Sequence, residues 1–253
     1  MSAAETSSLS QTKVEYPSSD GKRMADNTRQ ARWIIYLYNN LKALFSGEEV
    51  FIAADLLWYP VEGQPRIAAA PDVMVAMGRP DGDRSSYLQW EEADLPPQVV
   101  VEVLSPSNTT LEMFEKQQFY ARYGVEELIV IEPGKKEGDV ERFVPFLLQG
   151  DQLKGSDFPT QKWTSPRLGI TFQQVEGQVQ VFLPDGKPFR SFEEVENMLE
   201  EMEAAYGKME TAYEKIETAY EQEKAQSEAE RSRAEAAEAE LAKLKARLKD
   251  LEG

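Results

Sequence analysis

QVVVEVL, Gln98 to Leu104, is the stretch on which the fold turns. Its near-continuous run of β-branched residues is what a central strand covered on both faces requires. One acid interrupts it. Strand alternation sets Val99, Val101 and Val103 on one face, and Val100, Glu102 and Leu104 on the other. Burying a lone carboxylate costs several kcal/mol unless it is paired or meets a cation, so Glu102 is the first candidate functional residue. Read alone, it is equally a strand-end carboxylate paired with an arginine.

Working outward, Ser105 to Asn108 forms a turn, Thr109 or Thr110 caps a helix running to Tyr123, and Gly124 ends it. A strand from Glu127 to Glu132 follows, closed by Pro133-Gly134; strand, helix and strand in that order predict a right-handed crossover. Upstream, Pro71-Asp72 opens a strand Val73 to Met77, and Val50 to Tyr59 reads as another. Before these, Asp26-Asn27-Thr28 offers caps for a helix to about Phe45, with Trp33, Leu37, Leu41 and Leu44 at helical spacing. Between the strands, Gly78 to Pro97 is 20 residues of polar sequence, the length of a functional loop or lid, with Tyr87 and Trp90 to dock it. From Val140 to Phe189 short strands and turns predict β additions, including a hairpin near Gly177 and a turn at Pro184-Asp185-Gly186. The body is therefore α/β (α+β), a core of helix, three strands, helix and strand over residues 20–190, behind a polar, disordered lead at 1–19.

From Phe192 the pattern changes. Phe192, Val195, Leu199, Met202, Tyr206, Met209, Tyr213, Ile216 and Tyr220 alternate spacings of 3 and 4. The same frame meets Glu223, Ser227, Glu230, Ala234 and Ala237, then Leu241, Leu244, Leu248 and Leu251. An unbroken heptad frame predicts a C-terminal coiled coil over 191–253, and with it a homodimer. A solvated single helix held by Glu–Lys pairs is the other reading.

Composition narrows the chemistry. There is no cysteine, hence no disulfide frame or thiolate nucleophile, as suits a reducing cytoplasm. There is no histidine either, which excludes Ser-His-Asp hydrolases, His-metal nucleases and any imidazole base. Carboxylates, lysines, hydroxyls or a hard cation must do the work. No run approaches the roughly 18 apolar residues of a membrane span. The formal charge is −17, from 28 basic and 45 acidic residues. Residues 191–253 hold 9 basic and 18 acidic, leaving 19 and 27 in the body. No basic footprint for nucleic acid is visible, although a metal in an acidic cleft reverses the local sign.

If the strands of Asp72 and Glu102 are neighbours, both carboxylates reach one end of the sheet, where a cation with oxygen ligands bridges them. Glu112, Lys116 and Tyr120 lie at i, i+4 and i+8, one stripe of the following helix. Facing the acids, Lys116 would orient a water or neutralise phosphate charge; facing solvent, it is a surface partner of Glu112.

Pro71-Asp72 with Glu102-Val103-Leu104 resembles the PD-(D/E)xK nuclease superfamily. More narrowly, AADLLWYPVEG from Ala53, APDVMVAMGRPDGDRSSYLQWEEADLPPQVVVEVLSPSN from Ala70, and the Lys116-to-Tyr120 spacing before YGVEELIVIEP resemble the Uma-type family of bacterial restriction endonucleases. The likeness is good over roughly residues 20–132 and loose over 140–190. It implies a restriction-endonuclease-like core and a site in which Asp72, Glu102 and the Val103 carbonyl hold Mg²⁺ (or Mn²⁺). It further implies Lys116 as the catalytic lysine moved onto the helix, Tyr120 as its neighbour, and DNA as substrate. Two departures stand out: the strand position of the lysine is Leu104, and Met24 to Gln30 contains no histidine. Asp26, Glu48 and Asp55 are candidate extra acids, Asp55 foremost, with Glu112 a further possibility on the helix. Two functions follow as expectations: a divalent-metal endonuclease, or a nuclease fold without turnover serving protein assembly through its coiled coil. A purely structural coiled-coil protein would leave Glu102 unexplained.

Overall fold

The computed structural model describes residues 14–21, 23–136, 138–156 and 160–251, which form two units, one up to Ser191 and one from Phe192. The first holds helices α1 (Thr28–Leu44) and α2 (Thr110–Tyr123). Its strands are β1 (Val50–Ala54), β2 (Trp58–Tyr59), β3 (Val73–Met77), β4 (Tyr87–Leu88), β5 (Val99–Val103), β6 (Glu127–Glu132), β7 (Arg142–Gln149), β8 (Gln152–Gly155), β9 (Lys162–Thr164), β10 (Thr171–Val175) and β11 (Gln178–Phe182).

The main sheet runs β1-β3-β5-β6-β7-β8, and within it only β5 and β6 pair in parallel, joined by α2. One face buries Val99, Val101 and Val103 with Ile34, Leu37 and Leu41 of α1 and residues of the small sheet β11-β10-β9. The other face packs Val100, Met74 and Ala76 against Tyr120 and Ala121 of α2. The QVVVEVL run is thus a central strand covered on both sides, its two valine faces serving two separate cores. Asn27 caps α1 through its side chain. Thr109 caps α2 in a capping box with Glu112, and Gly124, at φ 97°, ends it in the left-handed conformation that glycine adopts without strain.

Three expectations change. The strand predicted over Val50 to Tyr59 breaks at Asp55, whose φ of 50° turns the chain out of the sheet before β2. The polar stretch Gly78 to Pro97 is a packed segment and not an open lid. Tyr87 is buried and stacks on Phe51, its hydroxyl donates to the Leu95 carbonyl, and Arg79 and Arg84 both bind Glu92. The lead assigned to 1–19 is docked at its far end: Tyr16 lies edge-on to Tyr59 and near Trp90, and the Tyr59 hydroxyl donates to the Pro17 carbonyl. Residues 1–13 lie outside the described residues.

The second unit is one helix, α3 (Phe192–Leu251), 60 residues long. Its apolar seam is exposed throughout, from Phe192 to Leu248. No helix among the described residues is long and apolar enough to cross a membrane.

Candidate active site

The sheet register brings the acids together. β3 and β5 pair antiparallel with Val73 opposite Val101 and Met74 opposite Val100. One further step sets Asp72 opposite Glu102, on the face that α2 covers. β1 pairs with β3 with Ala54 opposite Val73, so Asp55 comes next in the same row, its backbone N–H directed at the Pro71 and Asp72 carbonyls. Asp55, Asp72 and Glu102 therefore stand side by side at the ends of three adjacent strands.

Glu102 is 2% exposed, and α2 supplies its partners. Lys116 Nζ donates to Oε2 at 2.7 Å, and the buried Tyr120 hydroxyl donates to Oε1. Lysine and tyrosine four residues apart lie one turn above the other on α2, so both reach one carboxylate. Burial alone would lower the Lys116 pKa, but the charge and hydrogen bond of Glu102 outweigh it and raise the ammonium above its usual range. Burial, reinforced by the Glu102 charge, pushes the Tyr120 phenol well up, so it keeps its proton and donates a hydrogen bond.

Asp72 is buried too. Its Oδ2 accepts from the Val103 N–H at 2.7 Å. Desolvation first, and repulsion from Glu102 second, push its carboxyl up to about 7 despite that bond and the Lys116 charge. Asp55 is exposed. Partial burial and the nearby Asp20 raise its pKa, while Lys116 opposes the shift.

The other predicted residues fall as follows. Glu112 turns back to the Thr109 amide and hydroxyl and closes the capping box. Asp26 accepts from the Ser105 and Ser107 hydroxyls, which hold its carboxyl below the usual range. Glu48 is exposed in the α1–β1 turn. The Val103 carbonyl accepts from Gln30 Nε2 at 2.9 Å, while Gln30 Oε1 accepts from the Asp26 N–H. Gln30 escaped the sequence reading. Its signal was there, since it shares the buried α1 stripe with Ile34, Leu37 and Leu41 and is that stripe's one polar member.

A family model, Uma2, described as "Putative restriction endonuclease", matches residues 9–173. The chain belongs to that family. The matched span contains Gln30, both strand acids and the Lys116–Tyr120 pair, and it stops before α3. No curated protein matches this Uma2 chain. A crystal structure titled as a putative nuclease belonging to DUF820, from Anabaena variabilis, is similar at 12% identity and a TM-score of 0.41, covering 56% of this chain and 74% of that one.

As a donor set, Asp72, Glu102 and a strand carbonyl offer only oxygen, which suits a hard divalent cation and not a soft one. Among the described residues, no group of three or more acids is placed to hold an ion on its own. Two carboxylates are what the described residues bring together here.

Proposed function

We propose that this Uma2 chain is an endonuclease that hydrolyses phosphodiester bonds in DNA. Asp72 and Glu102 would hold Mg²⁺ or Mn²⁺. The observation that carries this reading is the register: two buried acids from neighbouring strands face the same side, with a lysine on one of them. The repulsion that raises Asp72 becomes attraction to a shared cation, so the arrangement is costly alone and favourable when filled. Such a cation supplies Lewis-acid polarisation of a phosphoryl oxygen and a low-pKa water.

The chain's own groups do the remaining work. The Val103 N–H fixes Asp72, and the Tyr120 hydroxyl fixes Glu102, so neither carboxylate reorganises during the reaction. Lys116 keeps its proton at Nζ, and its charge offsets the negative charge that grows on the phosphate oxygens. Asp55, next in the row and exposed, would position a water. The Gln30 amide donates to the Val103 carbonyl, which would join the shell through its second lone pair. The heptad seam of α3 would pair two copies, and the cysteine-free composition suits the cytoplasm.

The test is nicking of supercoiled plasmid in Mg²⁺ or Mn²⁺ over a range of salt concentrations. Wild type should nick and Glu102→Ala should not; equal, metal-independent nicking by both would sink the proposal. A second reading, assembly without turnover, draws on the engagement of both Glu102 oxygens and on the acidic balance of the body. It predicts no nicking at any metal concentration.

A further inference from the structure

We propose that α3 pairs with α3 of a second copy in antiparallel orientation, laid along its full length. This rests on the homodimer reading above and fixes what that reading leaves open.

The seam of α3 is large in its first half, small or acidic from Glu223 to Ala237, and leucine again from Leu241. Tyr206, Tyr213 and Tyr220 are each about two-thirds exposed in the single chain (65%, 73% and 67%). Beyond them the same frame carries Glu223, Ser227, Glu230, Ala234 and Ala237. In a parallel pair every seam residue meets its own copy. Tyrosines would then crowd tyrosines, alanines would face alanines across a gap, and Glu223 and Glu230 would each face a like charge. Full-length antiparallel overlap removes all three faults at once. It sets Tyr206 against the partner's Ala237, Met209 against the partner's Ala234, and Ile216 against the partner's Ser227. Tyr213 and Tyr220 meet the partner's Glu230 and the partner's Glu223, where a phenol hydroxyl donates to a carboxylate. Large then meets small, and acid meets donor.

The flanking charges agree independently. Beside the first half of the seam lies a row of acids, Glu196, Glu203, Glu210 and Glu217; beside the second half lie Lys224, Arg231, Glu238 and Lys245. Antiparallel packing places these rows together. Glu196, Glu210 and Glu217 meet the partner's Lys245, the partner's Arg231 and the partner's Lys224, and only Glu203 meets an acid, the partner's Glu238. In the parallel arrangement Glu203, Glu210 and Glu217 lie beside Met198, Ala205 and Ala212, which offer no charge, and the opposite-charge pairs fall to two, Arg233 with Glu238 and Glu240 with Lys245. Arg231 bonds Glu235 within its own helix, but that pair is surface-exposed and yields at little cost.

Sixty residues of helix span about 90 Å, so the two Ser191–Phe192 junctions, from which the nuclease units hang, lie that far apart.

The chain has no cysteine, so one introduced thiol can be spin-labelled without background. Ala204→Cys places it on the exposed side of α3 away from the seam. Light scattering on the labelled full chain gives its mass, and pulsed EPR gives the distance between labels. An antiparallel dimer puts Ala204 level with the partner's Ala239, so the labels lie about 50 Å apart at 1.5 Å rise per residue. A dimer with labels within about 30 Å refutes the orientation and leaves dimerisation standing. The mass of a single chain refutes both. As a check on register, Leu199→Cys/Leu244→Cys should cross-link into covalent dimers on mild oxidation while neither single variant does; cross-linking by Leu244→Cys alone overturns the proposal. Neither readout depends on nuclease activity.

Discussion

Replacing Asp72 by asparagine should stabilise the globular unit at alkaline pH and change little in acid. Burial and Glu102 push the Asp72 carboxyl from an ordinary 3.8 up to about 7. For an acid whose folded pKa lies above its unfolded value, the folded state binds the extra proton between the two. Stability is therefore full below about 3.8, falls as pH rises, and levels off above about 7. Each tenfold change in proton affinity corresponds to about 1.4 kcal/mol, so ionised Asp72 costs on the order of 4 kcal/mol at pH 8. An asparagine keeps the acceptor for the Val103 N–H and removes the charge. At roughly 2–4 °C per kcal/mol for a domain of this size, Asp72→Asn should raise the melting temperature by about 10 °C at pH 8, and by about 2 °C near pH 4.5, where most of the cost is absent. Tryptophan fluorescence is the assay of choice, because Trp33, Trp58, Trp90 and Trp163 all belong to the first unit and α3 has none. Mn²⁺ at pH 8 should raise the wild-type transition by mass action and leave the variant unmoved. A variant less stable than wild type at pH 8, or a gap independent of pH, would refute the account of Asp72 as a buried, repelled carboxylate.

Three further outcomes follow from the same geometry. Tyr120→Phe removes one donor from buried Glu102 and should cost about 1.5–3 kcal/mol, the worth of a hydrogen bond to a charged group; an unchanged melting temperature would show that the hydroxyl holds nothing. Lys116→Ala leaves Glu102 without its counter-charge; breaking a buried pair costs about 3–5 kcal/mol, reduced here to about 2–3 because the Lys116 side chain is 33% exposed. That variant should also lose nicking, and retained nicking would remove Lys116 from the reaction. Glu92→Gln uncouples Arg79 and Arg84, so trypsin should cut within 78–97 several-fold faster while nicking is unaffected; unaltered cleavage would show that Glu92 does not pin the segment.

What the sequence made legible was governed by local rules. The Val99-to-Val103 run, the capping box at Thr109 and Glu112, and the glycine that ends α2 each state their structure within a few residues. Where those rules were the only guide, they overran. Val50 to Tyr59 is β-prone at almost every position, yet the strand ends at Ala54 because Asp55, still bonded through its N–H to the carbonyls of Pro71 and Asp72, takes a positive φ of 50° that redirects the chain. The Gly78-to-Pro97 segment reads as polar because its charges are visible and their pairing is not: Arg79 and Arg84 neutralise Glu92 at its centre.

The pairing of the two candidate acids was legible for a narrower reason. Asp72, Glu92, Glu102, Glu127 and Glu141 are all buried acids, and burial alone does not separate the functional from the structural among them. Glu92 has two arginines; Glu127 takes the Ser165 hydroxyl and the Arg167 N–H; Glu141 takes the Trp33 indole and the Val179 N–H. Each of these three ties one segment to another. Asp72 and Glu102 differ in facing each other across one register step, which sets two carboxylates against each other in a site that one ammonium only partly offsets. A packing role would be better served by an amide at Asp72, which would keep the Val103 bond and lose the repulsion. An acid that makes the fold less stable, beside a second acid and within reach of a lysine, is the arrangement that the proposed cation site would require, since a bound cation would turn the repulsion into attraction.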